Sequence, residues 1–375
     1  MSIKPASLII ASSEKDADLY YATKFIAPDP FVFVEVRGKK YILVSDLEID
    51  RAKRQARVHK VFPSSRLAAE YKQKHKKACS FIELVLYFLQ KLGVQNVLVP
   101  GNFPVGYYAP LRHAGLRIQY KNGVFFEGRL LKNRAEVKAI AQALRATEKA
   151  AHEAVRILKR SVIRKNKLYF QGKVLTSEIL KRVIHKTLLA EGCVGEHTIV
   201  SCGPQTIDPH DQGSGPLYAH QPILMDIFPR SEKTLYYADF TRTVVRGKAS
   251  PKLKKMYAAV KEGQALAFKM IRHGVAGKKI HDAIQARFTQ LGFATGMKDG
   301  RMQGFFHSTG HGLGLELHEP PRISVGKDIL KAGQVVTVEP GLYYKGVGGV
   351  RLEDVALVTK TGCKNLTKFP RKLEI

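Results

Sequence analysis

Three histidines and two glutamates crowd into one stretch, HSTGHGLGLELHE, which covers residues 307–319. The histidines are His307, His311 and His318. Neutral imidazole is the commonest metal ligand among protein side chains, and the interspersed glycines let the backbone run close to a bound group. The stretch therefore indicates a metal site, with a glycine-rich loop carrying solvated histidines as the alternative.

A pair of aspartates, Asp226 and Asp239, lies in the apolar segment ILMDIFPRSEKTLYYADFTRT. If the two apolar flanks form a hairpin centred on Glu232 and Lys233, the aspartates stand directly opposite each other. Residues opposite each other on paired strands have Cβ atoms about 5 Å apart, which is close enough to share a metal ion. Without a cation between them the two carboxylates would repel each other, so this pair also predicts a metal.

A second acidic pair consists of Glu339 in VVTVEPG and Glu353 in GGVRLED. A glycine-rich turn joins their strands, and the point midway between them is Gly346. Arg351 shares a strand face with Glu353 because side chains alternate along a strand, so its guanidinium can orient a carboxylate. An ion pair on the surface of a sheet is the alternative interpretation.

Together, Asp226, Asp239, Glu339, Glu353 and His311 supply four carboxylates and one imidazole. An oxygen-rich set with a single nitrogen suits Mn²⁺ or a similar ion better than a thiolate type of zinc site. Five ligands exceed what one open ion can use, whereas two neighbouring ions with a bridging water can use them all. The expected chemistry is metal-assisted hydrolysis.

The elements that must position these residues fall into two parts. In residues 1–130 short apolar strands alternate with helices, which predicts an α/β domain without catalytic residues of its own. A boundary near Asn133, a good helix N-cap, opens the second part, residues 131–375. There, long amphipathic helices flank strand-like runs such as 197–200, 235–245 and 350–358, and this order predicts an α+β domain with a large curved sheet.

Composition limits the class of protein. The chain has 375 residues, 45% of them hydrophobic and 25% charged, as in ordinary globular proteins. Its four cysteines have no short paired spacing, no apolar run is long enough for a signal peptide or membrane span, and a cytoplasmic location is expected. The net charge of +30 would attract any polyanion, but no nucleic-acid-binding module accompanies it, so nucleic acid is not an expected partner.

The motifs MDI, YYADFTRT, HSTGHGLGLELHEPPRIS, TVEPGLY and GGVRLEDVALVT occur in this order over roughly residues 133–360. In this respect the chain resembles the pita-bread metallopeptidases, a family that includes methionine aminopeptidase, aminopeptidase P and prolidase. The preceding part resembles the creatinase-like N-terminal domain of the proline-specific members. The resemblance implies an α/β N-terminal domain, 1–130, and a pita-bread catalytic domain with a curved antiparallel sheet, 131–375.

Carried over by motif, the resemblance implies two divalent metal ions. Asp226 would bind one ion terminally, His311 and Glu339 would bind the other, and Asp239 and Glu353 would bridge both. Manganese is the expected ion, with cobalt or zinc as alternatives.

The same resemblance implies catalytic roles for three residues. Glu339 would move a proton from the bridging water to the leaving amine, His318 in ELHEPP would bind substrate and stabilise the tetrahedral intermediate, and His210 in IDPHD would line the substrate pocket. His307 and Arg351 match supporting positions.

The implied function is a dinuclear-metal exopeptidase that hydrolyses the bond before proline through a metal-bridging water. The substrates would be either Xaa-Pro dipeptides or peptides beginning with Xaa-Pro, and the motifs do not separate the two. A homo-oligomer, dimer or tetramer, is expected. The alternative is a catalytically inactive pita-bread protein that uses its basic surface to bind nucleic acid or an acidic partner. His220 matches no motif and is expected in a loop.

Overall fold

The computed structural model describes residues 4–375 and divides into two compact units, Met1–Arg129 and Leu130–Ile375. Residues 1–3, which belong to the predicted N-terminal domain, lie outside the described part of the chain.

The first unit is built on a six-stranded mixed sheet with the strand order β4-β3-β2-β1-β5-β6. Strands β1 and β2, and β2 and β3, are antiparallel, whereas β3–β4, β1–β5 and β5–β6 are parallel. The strands are β1 (Ala6–Ala11), β2 (Phe31–Val36), β3 (Lys39–Val44), β4 (Lys60–Pro63), β5 (Asn96–Pro100) and β6 (Arg117–Lys121). The helices are α1 (Ala17–Thr23), α2 (Ile49–Gln55), α3 (Ser64–His75), α4 (Phe81–Lys91) and α5 (Val105–His113).

Both faces of this sheet are covered. Along β1, Leu8 and Ile10 belong to one apolar cluster and Ile9 belongs to the other, as the alternation of side chains along a strand requires. The sheet therefore has a core on each side, which is typical of an α/β unit with helices on both faces.

Four helices frame the second unit: α6 (Arg134–Arg160), α7 (Ser177–Ala190), α8 (Pro251–Met270) and α9 (Gly277–Gln290). Helix α6 begins where the sequence predicts it. The side chain of Asn133 accepts hydrogen bonds from the backbone N–H groups of Ala135 and Glu136, and the carboxylate of Glu136 accepts one from the backbone N–H of Asn133. This reciprocal capping box satisfies N–H groups that the first turn of a helix leaves without partners.

The strands of the second unit are short and, within its sheets, all their pairings are antiparallel. They are β7 (Val162–Arg164), β8 (Lys167–Phe170), β9 (Lys173–Val174), β10 (Cys193–Val194), β11 (Ile199–Cys202), β12 (Ile223–Asp226), β13 (Arg230–Ser231), β14 (Thr241–Val244), β15 (Gly296–Lys298), β16 (Arg301–Gln303), β17 (Gly310–Gly312), β18 (Glu319–Ile323), β19 (Val335–Val338), β20 (Gly341–Tyr344), β21 (Gly348–Arg351), β22 (Asp354–Val358) and β23 (Cys363–Asn365).

Two of the sheets carry the site. One has the order β11-β12-β14 and the other has the order β18-β17-β19-β22-β23, while β20 and β21 form a separate pair between β19 and β22 in the chain. The buried Gln264 of α8 donates hydrogen bonds to the backbone carbonyls of Val338 and Leu352, 3.0 and 3.1 Å away. Helix α8 is thereby fixed against the strand ends on which the second acidic pair lies.

The predicted strand over 235–245 is much shorter in the structure, where only β14 (Thr241–Val244) is regular. Leu235 has a positive φ of 57° and directly follows the turn at residues 232–234, so this part of the apolar run is buried but irregular rather than strand. Within residues 4–375, every helix is too short or too polar to cross a membrane.

Candidate metal centre and substrate cavity

A cavity of about 870 Å³ in the second unit brings together the predicted site residues. All nine of them line it: Asp226, Asp239, His311, Glu339, Glu353, His210, His307, His318 and Arg351. Segments that are far apart in the sequence therefore meet at one place.

The first aspartate pair is arranged differently from the prediction. Asp226, the last residue of β12, pairs with Thr241 rather than with Asp239, because the turn is centred one residue later than Glu232 and Lys233. The predicted direct opposition is therefore wrong. Asp239 lies two residues before Thr241 and, by alternation, keeps to the same side as Asp226. The two carboxylates are diagonal neighbours.

The second acidic pair has the predicted register. Val338 pairs with Asp354, and Gly341 pairs with Arg351, so Glu339 and Glu353 occupy matching positions between these two pairings. The symmetric centre is Gly346, whose φ of 77° lies in the left-handed region that favours glycine. The turn chemistry of the sequence thus determines the register of this hairpin.

His311 and His318 reach the same site because the strand pairing between β17 and β18 slips between His311 and Gly312. Their rings are 4.4 Å apart and perpendicular. A Cβ at Gly312 would lie 2.3 Å from the backbone oxygen of Pro320, so only glycine fits at this irregularity. This bulge brings the two imidazoles to one side of the strand.

Hydrogen bonding fixes the tautomer of His311. Its Nδ1 lies 3.1 Å from the carbonyl oxygen of Gly312, which can only accept, so Nδ1 carries the proton. Its Nε2 lone pair then faces Glu339 Oε1 at 3.3 Å and Asp239 Oδ2 at 3.6 Å. A lone pair aimed at carboxylate oxygens calls for a cation between them. Burial, and then the charges of His318 and Arg322, lower the pKa of His311 to about 3, so the ring is neutral and able to bind a metal.

The buried carboxylates perturb one another strongly. Burial raises the pKa of Asp239 well above its usual range, and the charges of Asp226 and Glu339 raise it further. The pKa of Glu353 is raised in the same way, by burial first and then by Asp239. Burial also raises the pKa of Glu339 to about 7, although the nearby Arg351 opposes this shift. The polypeptide alone therefore does not balance the negative charge that it collects here.

The donor set fits divalent metal ions. Ligand atoms of Asp239, His311 and Glu353 all lie within 4.8 Å of one another. Within the described residues, Asp226 Oδ1 and Glu353 Oε1 are buried without a hydrogen-bond partner. Buried carboxylate oxygens of this kind are normally paired or bound to a metal. Four carboxylates with one imidazole remain an oxygen-rich set that suits Mn²⁺ or similar ions.

A hydrogen-bonded chain behind the carboxylates contains a residue that sequence reasoning missed, Tyr343. Its hydroxyl accepts a hydrogen bond from Arg351 Nη1 at 2.8 Å and donates one to His307 Nε2 at 2.9 Å. Arg351 Nη2 in turn donates to Asp226 Oδ2 at 2.6 Å. Burial, followed by the charge of Arg351, lowers the pKa of His307 to about 3, so this ring is neutral and can accept from Tyr343. In the sequence, Tyr343 is marked only by its position two residues after Gly341, which places both residues on the same face of β20.

Two threonines complete the support of the acidic groups. Thr241 Oγ1 donates to Glu353 Oε2 at 2.7 Å, and Thr337 Oγ1 donates to Glu339 Oε1 at 3.2 Å. Thr241 leaves Glu353 Oε1 without a hydrogen-bond partner, whereas Thr337 holds Glu339 by the same oxygen, Oε1, that faces His311.

The open part of the cavity carries groups suited to a peptide. His210, His318 and Arg322 are exposed there, and Phe228 and Leu317 contribute apolar wall. Burial lowers the pKa of His318, and the charge of Arg322 lowers it further, so the guanidinium lies near the histidine. Arg322 was not among the predicted site residues, although it stands in the quoted HEPPRIS motif.

A fully buried ion pair lies beneath the histidine loop. Lys132 Nζ bonds to Glu319, and the two side chains are only 1% and 0% exposed. Glu319 follows His318 directly, and a Cβ at Gly314 would lie 2.7 Å from the Glu319 carboxylate, so the loop closes tightly around this group. Sequence reasoning also missed this pair, because 187 positions separate its members.

His220 lies apart from the cavity, as expected. It occupies a loop with φ of 64°, and its Nδ1 accepts a hydrogen bond from the backbone N–H of Lys248 at 2.9 Å. Its role is to hold that loop.

Comparison with known proteins agrees with this geometry. Residues 138–360 match the model of metallopeptidase family M24. The chain is 27% identical over 371 residues to the Xaa-Pro dipeptidase of Pyrococcus horikoshii. The aligned region covers 96% of this chain and 92% of that protein. Among solved structures, it superposes with a TM-score of 0.82 on the Xaa-Pro dipeptidase from Bacillus anthracis, at 23% identity and with 99% of this chain and 95% of that chain covered. The TM-score is also 0.82 for the X-Pro aminopeptidase from Thermotoga maritima, at 24% identity and with 99% and 97% covered.

The chain belongs to metallopeptidase family M24. It is a metallo-exopeptidase of that family, and the predicted fold class, an α/β N-terminal part followed by an α+β pita-bread part, is confirmed. The inactive pita-bread alternative gains no support, since every predicted ligand residue lines the cavity.

Proposed function

We propose that this metallo-exopeptidase binds two divalent ions and hydrolyses the bond before proline, with Xaa-Pro dipeptides as its preferred substrates. One observation carries the proposal: four carboxylates and a neutral imidazole from separate segments of the chain converge in one cavity, beside exposed groups suited to a short peptide. Manganese is the ion that we expect, with cobalt or zinc as alternatives.

Asp226, Asp239, His311, Glu339 and Glu353 would hold the ions. When bound, the two ions would supply a water of lowered pKa as the nucleophile and would polarise the peptide carbonyl. Glu339 would accept the proton of that water and pass it to the proline nitrogen as the peptide bond breaks. Thr337 supports this role because its hydrogen bond holds the Glu339 carboxylate in one orientation.

The peptide would be held by the exposed groups of the cavity. His318 and His210 would donate hydrogen bonds to the substrate, and His318 would stabilise the oxyanion that forms on the attacked carbonyl. Arg322 is an exposed cation in the wall of the cavity and suits the C-terminal carboxylate of a dipeptide, since a guanidinium binds a carboxylate in a bidentate way. A tripeptide carries its carboxylate one residue farther away, and this difference favours the dipeptide.

Substrate specificity tests the proposal. The full chain is treated with chelator, reloaded with Mn²⁺ and assayed with Ala-Pro, Ala-Pro-Ala and Ala-Ala. We expect Ala-Pro to be cleaved fastest and Ala-Ala to be cleaved poorly. Faster cleavage of Ala-Pro-Ala would favour an aminopeptidase, and no cleavage of any proline peptide would refute the proposal.

Glu339→Ala tests the role of the shuttle residue. Loss of both a ligand and the proton carrier should abolish turnover of Ala-Pro. Substantial remaining activity would show that the assignment of Glu339 is wrong. Glu153→Ala, at an exposed carboxylate on α6, provides the matched control.

We propose that residues 1–130 form a creatinase-like N-terminal domain and that residues 131–375 form the catalytic domain. We also propose a homo-oligomer, dimer or tetramer, which light scattering on the purified full chain would test. A monomer at working concentration would contradict this last proposal.

A further inference from the structure

A second groove, about 560 Å³ in volume, adjoins the catalytic cavity. Helix α7 forms one side of it, and the segment leading into β11 forms the other. His197 and Gln212 line both the groove and the catalytic cavity, so the two spaces meet at these residues. The residues that carry its charge are Glu178, Lys181, Arg182 and Lys186.

Two of these charges are already engaged with the backbone. Lys181 Nζ donates to the carbonyl oxygens of Gln212 and Gly213, at 3.2 and 2.9 Å. Glu178 accepts a hydrogen bond from the backbone N–H of Gly215 at 2.9 Å, and its pKa is lowered by hydrogen bonds from Thr176 and then from Gly215. Both groups therefore help to hold the loop that carries His210.

The other two cations point to a ligand. Arg182 and Lys186 are exposed, and they stand four positions apart on one face of α7, where like charges repel each other. Within residues 4–375, neither side chain has a carboxylate partner within 4.0 Å. An anionic group in the groove would relieve their repulsion.

The residues where the groove and the cavity meet are firmly held. A Cβ at Gly213 would lie 1.9 Å from the backbone oxygen of Val200, so the loop packs directly on β11. The amide of Gln212 meets His197 Nδ1 at 3.3 Å, and His197 has a left-handed φ of 55°. The groove is thereby held in a fixed relation to the catalytic cavity.

We propose that this groove is a subsite for an acidic side chain on the residue that precedes proline. The inference rests on the proposed function. Arg322 belongs to the five-stranded sheet, whereas His197 precedes β11 of the three-stranded sheet. Arg322 lines the same cavity as His197 and Gln212, which also line the groove. A dipeptide held at Arg322 by its carboxylate would therefore lie in the cavity that meets the groove, and an aspartate or glutamate side chain on its first residue would reach Arg182 and Lys186 from there.

The test compares two dipeptides of the same shape, Glu-Pro and Gln-Pro, which differ by one charge. The ratio of their kcat/KM values is measured for the Mn²⁺-loaded full chain and for the double variant Arg182→Gln/Lys186→Gln. We expect the variant to lower the Glu-Pro to Gln-Pro ratio by about threefold to tenfold, as two surface charge contacts would. The preference of the unaltered chain should weaken in 0.5 M salt, since exposed charges are screened.

The double variant Lys252→Gln/Lys255→Gln is the matched control, because it removes the same charge from exposed positions on α8. The inference is overturned if the groove variant leaves the ratio unchanged, or if the control variant lowers it equally.

Binding separates this inference from the proposed function. Calorimetry with chelator-treated protein measures the affinities for Glu-Pro and Gln-Pro where no turnover occurs. A ratio of affinities that falls in the groove variant supports the subsite even if no hydrolysis is seen, in which case only the proposed function fails. Equal ratios in both proteins overturn the subsite, whatever the activity.

Discussion

Replacing Glu339 with glutamine should make the metal-free protein more stable at alkaline pH. The Glu339 side chain is 15% exposed and lies among other carboxylates, and the loss of solvation raises its pKa from 4.5 to about 7. A raised carboxyl pKa means that the protonated form stabilises the fold. This contribution is fully present below about pH 4.5 and is lost as the pH rises through about 7.

The size of the effect follows from the pKa difference. A change from 4.5 to about 7 corresponds to about 3 kcal/mol of unfolding free energy at pH 8. Glutamine has nearly the same shape and no charge, so Glu339→Gln removes this penalty. Removing the charge also relieves Asp239 and Glu353, whose pKa values Glu339 raises, and this acts in the same direction.

Urea unfolding followed by circular dichroism, in chelator at pH 5 and pH 8, measures the effect. Between these pH values the unaltered chain should lose more unfolding free energy than Glu339→Gln, by about 2 to 3 kcal/mol, since part of the effect is already present at pH 5. Glu153→Gln, at an exposed carboxylate, should follow the unaltered chain within about 0.5 kcal/mol. If Glu339→Gln and the unaltered chain lose the same free energy, the carboxylates do not repel one another as described, and the case for bound cations loses its main physical support.

Three further substitutions test particular contacts. Lys132→Met should cost about 3–5 kcal/mol of unfolding free energy because it leaves the buried Glu319 without its ammonium partner. Lys278→Met, in an exposed ion pair, should cost under about 0.5 kcal/mol. Equal costs of the two substitutions in urea unfolding would contradict the burial of the pair of Lys132 and Glu319. Tyr343→Phe breaks the hydrogen-bonded link between Arg351 and His307 and should lower kcat/KM for Ala-Pro by about 10-fold to 100-fold. Tyr344→Phe, which loses only a hydrogen bond to the Ala294 carbonyl, should have little effect on kcat/KM. Unchanged activity of Tyr343→Phe would show that the link is dispensable. Arg322→Gln should raise KM for Ala-Pro about tenfold or more, because Arg322 is proposed to bind the C-terminal carboxylate of the dipeptide. KM for Ala-Pro-amide, which lacks that carboxylate, should be nearly unchanged. Equal changes in KM for both substrates would show that Arg322 does not bind the carboxylate.

The acidic hairpin of Glu339 and Glu353 could be predicted from the sequence because its turn is rich in glycine. Gly346 and Gly348 have φ of 77° and 110°, a backbone conformation that favours glycine, and alternation along the two strands then sets every facing pair. The irregularity after His311 could also be predicted, since two histidines at an odd spacing must be brought to one side by glycine.

The register of Asp226 could not be predicted in the same way. Its turn, PRSEKT, has no glycine to mark the centre. The apolar segments on either side can pair in several registers, so the sequence does not determine which register forms. The structure pairs Asp226 with Thr241, yet both aspartates remain on one side because alternation preserves their facing.

The contacts that support the site could not be predicted from the sequence for a different reason. The pair of Lys132 and Glu319 is created by the tertiary fold, and no local pattern marks either residue as a partner of the other. Tyr343 likewise looks like an ordinary core residue of a strand until Arg351 and His307 are seen on either side of its hydroxyl. Motifs show which groups do the chemistry, whereas packing shows which groups hold them.

The central claim is that five ligand residues hold two ions which hydrolysis requires. Chelator-treated full chain is titrated with Mn²⁺, and bound manganese and Ala-Pro hydrolysis are measured in the same samples. We expect no hydrolysis without metal and full activity when two ions are bound per chain. Hydrolysis by the metal-free protein, or two bound ions without any cleavage of Ala-Pro, would contradict the claim.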